Sequence, residues 1–124
     1  MIVNPTKTMK QGEAIRLDFK LTEPDSRDPL DLTNVASLEW GLYLEGSLNT
    51  NLIVYKTTDD DIDITNIKGG LCSVYLYTDD TDSLDPGKYK YELWQTDNSV
   101  EADQNPLAEG SIIIKQTSIR NRGS

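Results

Sequence analysis

The chain has 124 residues and a formal net charge of −9, with 36% hydrophobic residues, 27% charged residues, one cysteine and no histidine. That length buries one core and not two, and the apolar content is that of a folded domain rather than a disordered one. The acidic balance disfavours nucleic acid, whose phosphates require a basic face, while lone Cys72 has no disulfide partner and the lack of histidine excludes a zinc site.

No apolar run of signal-peptide length opens the chain, and no stretch approaches the roughly 20 apolar residues of a membrane span. Folding in a cytosol, with neither membrane nor nucleic acid as partner, is the expectation. Residues 1–10 read as an N-terminal arm with a first short strand near Thr6 to Met9. In "EAIRLDFKLT", Ile15, Leu17, Phe19 and Leu21 alternate with Arg16, Asp18 and Lys20, the period of a half-buried strand. "SLEWGLYLE" repeats it, with Leu38, Trp40, Leu42 and Leu44 on one side and Glu39, Gly41, Tyr43 and Glu45 on the other. "LIVYKT" from Leu52, "LCSVYLYT" from Leu71, "KYKYELWQT" from Lys88 and "AEGSIIIKQ" from Ala108 continue the series, each bounded by Asp, Asn, Gly or Pro clusters. Residues 116–124 form a basic C-terminal tail. There is no internal repeat and no sustained helical periodicity.

About seven short strands across residues 11–115 predict an all-β domain, an immunoglobulin-like antiparallel β-sandwich with short extended arms. "DPGKYKY" strengthens this. Such sandwiches place a tyrosine near the start of the sixth strand, its hydroxyl bonded to backbone a few residues upstream. Tyr89 is the expected corner residue, Tyr91 faces inward where antibody domains keep a disulfide cysteine, and Trp40 is the core tryptophan. Leu17 or Phe19 takes the place of the second cysteine.

The wider arrangement resembles a family of small immunoglobulin-like proteins of tailed bacteriophages, related to the N-terminal domain of siphophage baseplate upper proteins. The pieces are Gly12 with Glu13, the strand from Ile15 to Leu21, "PLDLTNV" from Pro29, Trp40, "YKT" from Tyr55, "LDPGKYKYEL" from Leu84 and "EGSIII" from Glu109. They run in order over residues 12–114. The loop before "DLT" departs from the pattern: "EPDSRDPLDLT" is longer and lacks the usual Asp-Gly. The resemblance implies a non-enzymatic structural protein of the virion, present in several copies.

Without histidine, Ser73, Cys72 and Ser83 lack the usual base, and the carboxylates cluster in predicted loops without flanking aromatics, so no catalytic role and no cofactor are expected. The run "TTDDDIDIT" offers Asp59, Asp60, Asp61 and Asp63 as oxygen ligands for Ca²⁺, with solvated surface charge as the alternative. In a seven-strand topology, these acids share one pole with those from Glu23 to Asp31 and from Asp97 to Asp103. Their excess over Arg27 and Lys68 equals the whole net charge.

Tyr43, Trp94 and Ile113 are expected to point outward on adjacent strands and form a protein contact patch, with Trp94 as its anchor. Arg120 and Arg122, together with Lys7 and Lys10, make both ends basic and suited to the acidic pole of a neighbouring copy. The reading that follows is a virion adaptor or decoration module in the tail and baseplate or on the capsid, as a head fibre or cap. Its partners are other copies of itself and other virion proteins. The alternative is a receptor- or glycan-binding module, using the acidic pole with Tyr75 or Tyr77.

Overall fold

A computed structural model describes residues 2–23, 26–33, 35–46, 52–97 and 104–116. In chain order the elements are β1 (Ile2–Val3), β2 (Lys7–Lys10), β3 (Ile15–Lys20), β4 (Val35–Leu44), β5 (Val54–Thr57), β6 (Ile62–Asn66), β7 (Leu71–Leu76), the single-turn helix α1 (Thr78–Thr81), β8 (Gly87–Asp97) and β9 (Gln104–Lys115). One sheet runs β5-β4-β8-β9, with β1 and β2 both added in parallel to the far edge of β9. The other sheet is β3-β7-β6, antiparallel throughout. The two sheets face each other across one core, in the connectivity of an immunoglobulin-like sandwich.

The nine strands among the described residues exceed the roughly seven expected. β6 was hidden because "DDDIDIT" reads as an acidic loop, although Ile62 and Ile64 alternate with Asp63 and Thr65 and pair with Val74 and Cys72 of β7. The first strand expected near Thr6 to Met9 is β2, with Lys7 to Lys10 in register with Ile112 to Lys115 and Met9 buried in the core. Pro5 lacks an N–H and stands between the two pairings, which is why this edge is divided into β1 and β2.

Inward positions of β4, β8 and β9 are Leu38, Trp40, Leu42, Tyr89, Tyr91, Leu93, Ile112 and Ile114, all buried. Leu44, expected inside, is exposed where β4 runs out toward the Glu45–Gly46 turn. Trp40 lies 5.4 Å from the Tyr91 ring, and Phe19 meets the other side of Tyr91 edge-on at 6.0 Å. Three packed rings therefore occupy the space of the absent inter-sheet disulfide, and Phe19 is the residue that takes the β3 side. Gly110, cross-strand from Tyr91, has no side chain because a β-carbon there would collide with the Tyr91 phenol.

Two poles close the sandwich. At one, the Leu21–Leu32 connection is tied to the Ile67–Gly70 turn by Leu21 N–H to Gly70 O (2.8 Å) and Leu32 N–H to Ile67 O (2.8 Å). At the other, the Gln11–Gly12 turn meets α1: the Gly12 amide donates to Thr81 Oγ1 (3.0 Å), and Gln11 Nε2 donates to the Leu84 carbonyl (2.7 Å). The Tyr89 hydroxyl donates to the Asp85 carbonyl at 2.7 Å, the corner bond expected from "DPGKYKY". No helix among the described residues is long and apolar enough to cross a membrane.

Candidate functional site

The alternation that buries one face of the larger sheet turns Glu39, Gly41 and Tyr43 of β4, Tyr55 of β5 and Glu92 and Trp94 of β8 outward. Register decides which of them meet. Gly41 lies between Tyr55 and Glu92, Glu39 lies opposite Trp94, and Tyr43 lies opposite Lys90. Because Gly41 carries no side chain, the face sinks there into a groove of about 270 Å³. Leu52, just before β5, folds over this low point: a β-carbon at position 41 would approach Leu52 Cδ2 to 2.6 Å.

Glu92 organises the groove. The Trp94 indole donates from Nε1 to Glu92 Oε1 at 2.8 Å, and the Tyr43 hydroxyl donates to Glu92 Oε2 at 3.2 Å. Across the groove, the Tyr55 hydroxyl lies beside the Glu39 carboxylate. Partial burial, and then the neighbouring carboxylate charge, push both phenols above the ordinary tyrosine range: Glu92 acts on Tyr43 and Glu39 on Tyr55. Tyr43 and Trp94 are half-buried, whereas Tyr55 is 50% exposed and Leu52 45%. The result is an aromatic-walled, acid-lined depression on the sheet face.

Of the expected contact residues, Tyr43 and Trp94 come together through Glu92, but Ile113 does not join them. It pairs with Lys88 and Thr8, one outward row beyond Tyr43 but well away from Trp94, toward the opposite edge. The third aromatic is instead Tyr55. Its outward direction is legible in "LIVYKT", where Val54 and Lys56 are buried on the other side, but the pairing of β5 with β4 is a tertiary fact. Arg120 and Arg122 lie outside the described residues. Trp40, Tyr89 and Tyr91 hold the core positions assigned to them.

The acidic run is rearranged by the extra strand. Asp59, Asp60 and Asp61 belong to the turn between β5 and β6, at the pole opposite Glu23, Asp28 and Asp31, so the described acids do not gather at one end. Nor do the four aspartates form a calcium site. Asp63 points out from β6, and Asp61, held at φ 71°, gives its carboxylate to Lys56 Nζ at 2.7 Å. Among the described residues, no three acidic, cysteine or histidine groups converge to hold a metal ion.

Lys56 is the unexpected feature of that pole. Only 5% exposed, it reaches inward, pairs also with Asp80 of α1 at 2.8 Å, and stands 5.4 Å above the Tyr77 ring. Tyr77 borders this cluster and stays 51% exposed. Burial disfavours the charged lysine, but the two carboxylates outweigh it and hold the ammonium above its ordinary value. Compared with known proteins, the chain matches no protein-family model, and no curated protein is significantly similar to it.

Proposed function

We propose that the chain is a non-enzymatic structural protein of a bacteriophage virion. It acts as an immunoglobulin-like adaptor or decoration module in the tail and baseplate or on the capsid, joined to other copies of itself and to other virion proteins. Its mechanism is adhesion by surface complementarity. The observation that carries this reading is the outer face of the larger sheet, where Tyr43, Tyr55, Trp94 and Leu52 present partly exposed apolar surface around a depression. Aromatic residues of this kind anchor protein contacts, and tryptophan is enriched among those that dominate binding energy. The ordered pieces that resemble the phage family fall on β3, β4, β5, β8 and β9 and on the Leu21–Leu32 connection, which is consistent with a shared framework.

Peptide mass spectrometry of purified particles of the phage whose genome encodes the chain tests the role. The protein is expected as a stoichiometric component, and its absence from particles overturns the reading. Trp94→Ala is expected to impair incorporation while leaving the fold intact. A receptor- or glycan-binding role is the second reading, favoured by one observation: aromatics beside carboxylates, missing from the predicted loops, occur together on this sheet face.

A further inference from the structure

The aromatic groove has a hydrogen-bond inventory that selects its occupant. Two of its donors are already committed, the Trp94 indole and the Tyr43 hydroxyl, both to Glu92. What remains on offer is ring surface and carboxylate lone pairs, since an ionised carboxylate has about four acceptor sites. Among the described residues neither Glu39 nor Glu92 is ion-paired, and Lys90, cross-strand from Tyr43, pairs with neither. Glu109 faces Glu92 across the ladder and adds to the negative charge. Among the described residues that line it, the groove is thus rich in acceptors and carries no cation.

We propose that this groove receives an arginine side chain from a partner polypeptide, its guanidinium donating to Glu92 and Glu39 between the rings of Trp94 and Tyr55. A guanidinium has five donors, no acceptor and a weakly hydrated planar face that stacks on aromatics. Its aliphatic stem lies along Leu52, which covers Gly41. A sugar hydroxyl both donates and accepts, and finds few donors among the described lining residues. A lysine ammonium is a more strongly hydrated point charge that gains less from the ring faces. The inference deepens the reading of this face as a protein contact by naming the chemistry of the partner.

The test is an NMR titration of the whole chain, following the assigned Trp94 indole N–H, with N-acetyl-arginine amide, its lysine counterpart, the neutral citrulline counterpart and a panel of neutral oligosaccharides. Arginine is expected to shift the resonance saturably, more weakly in high salt. Glu92→Gln and, independently, Glu39→Gln are each expected to weaken binding roughly tenfold while the rest of the spectrum stays folded. Citrulline or lysine binding as tightly as arginine, oligosaccharide binding in its place, or no saturable shift overturns the proposal. Arginine binding by a chain absent from phage particles leaves this inference standing and removes the virion role. A virion component indifferent to arginine does the reverse.

Discussion

Tyr89 and Tyr91, two positions apart on β8, both face the core, yet they do different work. Tyr89 spends its hydroxyl on the Asp85 carbonyl and so fixes the chain where it crosses between sheets. Tyr89→Phe keeps the ring and loses that bond, so unfolding by denaturant is expected to show a loss of about 1 kcal/mol, the net worth of one such hydrogen bond. Tyr91 instead fills volume between Trp40 and Phe19, and its neighbour Gly110 exists to make room. Cys72, on the smaller sheet and 1% exposed, has its thiol pushed up to about 12, by burial first and by the Asp18 charge second. A thiol reagent at mildly alkaline pH is expected to leave the native protein unmodified and to label it on unfolding. Native-state labelling at the free-thiol rate contradicts this. Gly70 is constrained twice over, by φ 69° and by a β-carbon position 2.5 Å from the Leu21 carbonyl, so Gly70→Ala is expected to loosen the pole that holds the Leu21–Leu32 connection.

Between elements, the β5–β6 turn is held to α1 by Lys56, which sits between Asp61 and Asp80. Removing the cation strands two partly buried carboxylates. Lys56→Met is therefore expected to cost about 2 kcal/mol at neutral pH, below the figure for a fully buried pair because water reaches both aspartates. The pH dependence has a definite sign. A lysine held above 10.5 in the folded state contributes stability that is fully present below that value and is lost as pH rises through its folded value. Tyr43, Tyr55, Tyr89 and Tyr91, all raised above 10.0, drive stability the same way as they ionise, so the informative quantity is the difference between wild type and Lys56→Met. That difference in melting temperature is expected to shrink as pH climbs past 10.5. A constant difference would show that the ion pairs contribute nothing there.

For the molecule as a whole, the first ten residues are the point at which an arm and a structural strand make opposite predictions. Since β1 and β2 supply hydrogen bonds to β9 and Met9 to the core, deletion of residues 1–10 is expected to lower the melting temperature markedly and expose Ile112 and Ile114. An unchanged melting temperature would make the arm dispensable. What the sequence alone determined is what period two and local turn chemistry carry: the inward set from Leu38 to Ile114 apart from Leu44, the Tyr89 corner, the central Trp40, and the outward direction of Tyr43 and Trp94. Only the tertiary structure decided who stands beside whom. Strand pairing brought Tyr55 and Leu52 to Gly41, removed Ile113 from the patch, moved Asp59, Asp60 and Asp61 to the far pole through β6, and set β1 and β2 along β9. The physical reason is that alternation encodes the face a side chain occupies, whereas neighbours across a sheet are set by hydrogen-bond register between segments far apart in the chain, which no local pattern records.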